Sequence, residues 1–189
     1  PVSPAYSLMS KDCAKVKGIS GLLKPGLVYA ADGAKFAGVL GSVDFGGAEI
    51  VLGANAPAGM KSTSFSELLQ QKAGAEVDRA FAAVGPDTIA KFLFTSGSPG
   101  EPKGVINSQR MICADIAQAA FAMAEIAKPQ VLVDWLPWNH TFGSNQNIHL
   151  TLYSGGALYI DDGKPTPGGF DATIRNLKEI APTCYFNVP

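Results

Sequence analysis

The 189-residue sequence is short of charge, of cysteine and of histidine, and each shortage excludes something. Charged residues make up 16% of the chain and sum to a net charge of -1, so no basic field for nucleic acid or an anionic membrane is present. No apolar run is long enough to span a bilayer. Nor is a signal peptide visible; the chain opens PVSPAYS, without a methionine. Cys13, Cys113 and Cys184 are odd in number and far apart, with no metal-ligand spacing. They read as buried thiols of a reducing, cytoplasmic compartment, and no protein-built metal site is expected. A content of 47% hydrophobic residues excludes disorder, and the length is enough for a real core.

What is present is an alternation of helix and strand signals. Pro1 to Ser7 reads as extended, because Pro1 and Pro4 cannot join a helix interior. Ser10 caps a helix with Val16, Ile19 and Leu23 on one face, ended by Pro25-Gly26 before the strand Leu27 to Ala30. Asp32 caps a helix in which Phe36, Val39, Leu40 and Val43 share a face, and Glu49 to Leu52 is a second strand. Ser64 with Glu67 makes a capping box, and a short helix from Glu76 to Val84 follows. Ile89 to Phe94 reads as a buried strand.

Beyond that strand, Gly104 to Ile106 returns as the second arm of a hairpin, and Ser108 caps the longest helix. Ile112, Ile116, Ala120, Met123 and Ile126 form its apolar stripe. Val131 to Leu136 is a strand, a helix runs through Leu150 to Tyr153, and Ala157 to Ile160 is another strand. Asp161-Asp162-Gly163 reads as a tight turn rather than a metal site. A helix with Ile174, Leu177 and Ile180 precedes a last strand, Cys184 to Val188. The alternation predicts an α/β fold with a largely parallel, doubly wound sheet and flanking helices.

Two stretches carry chemistry. The first is FTSGSPGEPKGV, Phe94 to Val105, where Thr95, Ser96 and Ser98 offer hydroxyls. Gly97 and Gly100 free the backbone to turn, and Lys103 adds an ammonium. Hydroxyls, bare N–H groups and one cation suit a polyphosphate. The spacing is not that of the G-x-x-x-x-G-K-[ST] loop. The plain alternative is a Gly/Ser/Pro hairpin with a solvated lysine. The second stretch is PWNHTFGSNQN, where His140 stands among Trp138, Asn139, Phe142 and Asn145, and Gly143 would let a backbone approach a ligand closely. Ligands of parallel sheets bind off the carboxyl ends of strands, and both stretches follow a strand. His149, within a predicted helix, reads as structural.

These stretches resemble the adenylate-forming superfamily of acyl-CoA synthetases, luciferases and peptide-synthetase adenylation domains. DWLPWNHTFGSNQN, GGALYIDDGKPTPGGF and IAPTCYFNVP, with PAYS and PDTIAKFLFTSG, are similar to bacterial feruloyl-CoA synthetases. The resemblance implies activation of a carboxylic acid by ATP with Mg²⁺, through an acyl-adenylate, and transfer to coenzyme A. Ferulate or a related hydroxycinnamate is the implied acid. It assigns Thr95, Ser96, Gly97, Ser98, Gly100 and Lys103 to the β- and γ-phosphates, and His140 to the acyl carboxylate and α-phosphate. Trp138, Phe142, Gly143 and Asn145 become candidates for the aryl pocket. It departs from the family at Pro99, where threonine is usual, and at Ser144 and Gln146, where glycine and histidine are expected. It implies a segment of the large N-terminal domain over residues 1–189, lacking the adenine- and ribose-binding part and the C-terminal lid, and inactive alone. A non-catalytic nucleotide-binding domain, or a ligase for fatty or benzoic acids, are the alternatives.

Overall fold

The computed structural model describes residues 1–95, 103–164 and 166–187. Its strands and helices group into two compact units, one built on Val2–Val84 and one on Gly85–Phe94 with the residues from Gly104 onward.

The first unit opens with helix α1, Pro4–Leu8, where extended chain was expected. Proline is excluded from helix interiors but suits the first turn, where its missing N–H has no partner to lose. Helix α2, Ala14–Leu23, follows Cys13 in a left-handed conformation. The Ser10 hydroxyl accepts from the Cys13 N–H at 3.1 Å and Asp12 from the Ala14 N–H at 3.1 Å, so the helix start is satisfied locally. Helix α3, Ala37–Ser42, places Val39 against Val43, Cys13 and Val16, with Tyr6, Phe36, Leu40 and Phe45 packed around them. Val16 and Ile19 are buried as their spacing requires, while Leu23 is 36% exposed.

Strands β1 (Leu27–Ala30), β2 (Glu49–Leu52) and β3 (Thr63–Ser64) form a parallel ladder in that order. Val51 and Leu52 lie at its buried centre. Helix α4, Phe65–Leu69, starts with the capping box read from the sequence: Ser64 Oγ accepts from the Glu67 N–H at 3.1 Å, and Glu67 accepts from the Ser64 N–H at 2.8 Å. Helix α5, Ala75–Ala82, ends the unit's regular structure.

The second unit begins with β4 (Ile89–Phe94) and β5 (Gly104–Ser108), an antiparallel hairpin. Only Leu93 of β4 is fully buried, and Ile89 and Phe92 stand 48% and 37% exposed. The expectation of a buried strand fails because a two-stranded ladder has an open face. Ser108 then accepts from the Met111 N–H at the start of helix α6, Gln109–Ala122. Its buried stripe is Ile112, Ile116 and Ala120, continued by Ile126 in the 3₁₀ turn Ala124–Ala127, whereas Met123 is exposed. Cys113, one residue off that stripe, is exposed; Cys13 is buried and Cys184 half-buried, so the expectation of three buried thiols holds for Cys13 alone.

Strand β6, Val131–Asp134, pairs in parallel with β7, Ala157–Ile160. Between them run a π-turn, Phe142–Asn147, and helix α7, Ile148–Ser154. Leu132 and Leu150 are the deepest apolar side chains here, packed with Ile116, Ile126, Leu158 and Phe186. Removing either side chain would cost about 2–5 kcal/mol. Asp161 accepts from the Gly163 N–H, closing the expected turn after β7, and also holds Thr173 of helix α8, Phe170–Ile180. The last expected strand is reduced to one parallel bridge, Leu132 to Cys184, with Val188 outside the described residues. The chain is thus an α/β protein with parallel strands and flanking helices.

Candidate functional site

Of the phosphate-loop candidates, Ser96, Gly97, Ser98 and Gly100 lie outside the described residues, as does Pro99. Thr95 and Lys103 are described. The Thr95 N–H donates to the Lys103 carbonyl at 3.1 Å, bringing the two ends of the segment together. Both residues are exposed.

The tryptophan loop is built differently, around a buried carboxylate. Asp134, 3% exposed, ends β6. Its Oδ1 accepts from the Leu136 N–H at 3.0 Å and from Asn147 Nδ2 at 2.8 Å, and its Oδ2 accepts from Trp138 Nε1 at 3.2 Å. One side chain therefore fixes the loop's start, its indole and the end of the π-turn. Gly143 is buried beneath the same loop. A Cβ there would stand 2.8 Å from the Pro137 carbonyl oxygen and 3.0 Å from that of Leu136. The close approach this glycine permits is to its own loop backbone.

His140 is exposed, but its main chain is held. Its N–H donates to Pro137 O at 3.0 Å and its carbonyl accepts from the Ser144 N–H at 2.9 Å. Its Nδ1 accepts from the Phe142 N–H at 3.3 Å. With Nδ1 used as an acceptor, the neutral ring carries its proton on Nε2 and presents it as a donor. A carboxylate or phosphate oxygen is a partner for that donor. The Phe142 ring meets Phe186 edge-on at 5.4 Å, and Trp138 is 38% exposed, so the indole is the open aromatic surface of the loop.

Behind the π-turn stands a polar cluster that the sequence did not announce. Lys91 of β4 donates to Ser144 Oγ at 2.8 Å and to the Ser144 carbonyl at 3.1 Å, and burial pushes its pKa below that of an ordinary lysine. Asn107 of β5 accepts from Asn145 Nδ2 at 2.8 Å. His149 Nδ1 meets the Asn145 carbonyl at 3.1 Å. Burial lowers the His149 pKa first, and the Lys91 charge lowers it further, against the Asn145 carbonyl and Asp115. The neutral ring thus donates Nδ1–H to Asn145. The available signals were slight: a lysine inside an apolar strand, and an aspartate closing the run Val131-Leu132-Val133.

A model of the AMP-binding enzyme family matches residues 35–189. Long chain acyl-CoA synthetase 6, a peroxisomal protein of Arabidopsis thaliana, is 30% identical over 131 residues, covering 69% of this chain and 17% of its own length. Among solved structures, the adenylation domain of a keto acid-selecting peptide-synthetase module, bound to keto acyl adenylate, superposes on 98% of this chain with a TM-score of 0.68. That match has 20% identity and uses 32% of the other chain. ATP-bound MatB from Rhodopseudomonas palustris superposes on 95% of this chain and 32% of its own with a TM-score of 0.58 and 22% identity. The chain therefore spans a small part of the proteins it resembles. Among the described residues no helix is long and apolar enough to cross a membrane. From its match over residues 35–189, the chain belongs to the AMP-binding enzyme family.

Proposed function

We propose that this chain is the phosphate-binding part of the large N-terminal domain of an ATP-dependent acid–thiol ligase. The observation that carries this reading is the family match, which spans both Phe94–Val105 and the His140 loop. In the first step a carboxylate oxygen attacks the α-phosphorus of ATP, the bond to the leaving pyrophosphate breaks, and an acyl-adenylate forms. In the second the thiol of coenzyme A attacks the acyl carbon and AMP leaves. Mg²⁺ enters as part of the nucleotide substrate.

The chain's own residues position and neutralise, which is most of what phosphoryl chemistry asks of a protein. Thr95, Ser96, Gly97, Ser98, Gly100 and Lys103 would hold the β- and γ-phosphates, with Lys103 supplying the positive charge. Pro99 offers neither hydroxyl nor N–H there, which costs one hydrogen bond to a charged group, about 1.5–3 kcal/mol. His140, with Nε2–H outward, would orient the acyl carboxylate. No general base is needed, because a carboxylate is already ionised at neutral pH.

For the acid we propose a hydroxycinnamate such as ferulate, stacked on Trp138 with Phe142, Gly143 and Asn145 shaping the floor. The similarity to a long chain acyl-CoA synthetase favours a second reading, an aliphatic acid. The full protein that carries this chain, given ATP, coenzyme A and a panel of ferulate, coumarate, benzoate, octanoate and palmitate, separates the two. Thioester from ferulate and coumarate supports the first reading, and thioester from palmitate alone replaces it with the second.

A further inference from the structure

The hairpin β4–β5 and the π-turn are far apart in sequence, yet a lysine and a serine join them. We propose that Lys91 is a positioning residue: through Ser144 it sets the π-turn and thereby the orientation of His140. The relay is short. The Lys91 ammonium holds both the hydroxyl and the carbonyl of Ser144, at 2.8 and 3.1 Å. The Ser144 N–H in turn donates to the His140 carbonyl at 2.9 Å, and the intervening Phe142 N–H donates to His140 Nδ1 at 3.3 Å. Rotation of the π-turn moves both bonds, and with them the ring nitrogen that faces outward.

The second observation is that the link is reinforced in parallel. Asn107, the cross-strand partner of Lys91 in the hairpin, accepts from Asn145 at 2.8 Å, so adjacent residues of the π-turn are tied to opposite arms of one hairpin. A π-helical turn is rare and occurs mostly as a single turn, frequently at functional sites, and this one is tied from outside at two adjacent residues. Lysine suits the task because three donors on one flexible stem can serve a hydroxyl and a carbonyl of the same residue. Among the described residues its hydrogen-bond partners are the neutral hydroxyl and carbonyl of Ser144, and partial burial disfavours its charge. A lysine inside an apolar strand whose ammonium holds two atoms of one distant residue points to a role at the turn it reaches.

The inference rests on the proposed role of His140 only for its catalytic consequence, so two readouts are used. In this chain, amide hydrogen exchange is measured for Lys91→Met, which keeps the stem and removes the charge. Protection at the Phe142 and Ser144 amides is expected to fall about tenfold, while the Phe92 to Phe94 ladder keeps its protection. In the full protein, the same variant is expected to lower kcat for carboxylate-dependent pyrophosphate exchange about tenfold with KM for ATP unchanged. If Lys91→Met does not fold, Ser144→Ala removes the 2.8 Å bond alone and is read the same way. Unchanged protection at Phe142 and Ser144 in the folded variant overturns the positioning role. Lost protection with unchanged kcat keeps the relay and removes His140 from the reaction instead.

Discussion

The two segments proposed to carry the chemistry are held in opposite ways. The ends of the hydroxyl-rich segment, Thr95 and Lys103, share one backbone hydrogen bond and leave their side chains exposed. The turn after β6 is held by buried polar side chains, with Asp134, Asn147 and Ser144 each under a tenth exposed. The difference fits the two proposed roles, one place that would meet a large, strongly charged ligand and one that would hold a ring at a set angle. Electrostatic grip tolerates imprecise geometry, whereas an orienting hydrogen bond does not.

If the contrast is sound, the largest effect is chemical and leaves the fold alone. Lys103→Ala in the full protein is expected to reduce pyrophosphate exchange on the order of 100-fold without moving the melting temperature. A matching loss of stability would mean the two segments are not so different. The next effect is the mirror case. Asp134→Ala strands the Asn147 amide and the Leu136 N–H in a buried place and releases the half-exposed Trp138 indole. Urea unfolding should show a loss of about 3 kcal/mol, the scale for orphaned partners of a buried charged group.

Much of the frame was legible in the sequence because it depends on neighbours along the chain. Ser64 with Glu67, the Val39–Val43 face, the β4–β5 return and the Asp161 turn are all short-range patterns. The Pro4 helix departs from the extended reading because proline's meaning depends on which turn of the helix it occupies. The π-turn network was not legible for a different reason. Lys91 meets Ser144 and Asn107 meets Asn145 across long stretches of chain, and neither pair has a spacing rule. The family resemblance points to His140 and Lys103, whereas the contacts of Lys91 and Asn107 with the π-turn follow only from the folded structure.

A smaller effect tests the glycine. Gly143→Ala would drive a Cβ against the Pro137 and Leu136 carbonyls, and about 1–3 kcal/mol of destabilisation is expected from the same unfolding measurement. A neutral result would show the loop backbone to be more yielding than its buried bonds suggest. The smallest effect is a pH dependence. Burial and the Lys91 charge hold the His149 pKa below its unfolded value of 6.5. The stability tied to the neutral ring is therefore complete above that value and is lost as pH falls below it towards the folded pKa. Melting curves between pH 7.5 and 5.5 should fall with acid, and His149→Gln should flatten that fall; an equally steep fall in the variant would assign it to another group.

The most direct test of the proposed chemistry is exchange of labelled pyrophosphate into ATP by the full protein, with and without an added carboxylic acid. The expected result is exchange that appears only when an acid of the panel is supplied, since the carboxylate is the nucleophile at phosphorus. Exchange that proceeds equally without acid, or none with any acid while ATP still binds, would contradict the ligase reading and leave a nucleotide-binding domain in its place.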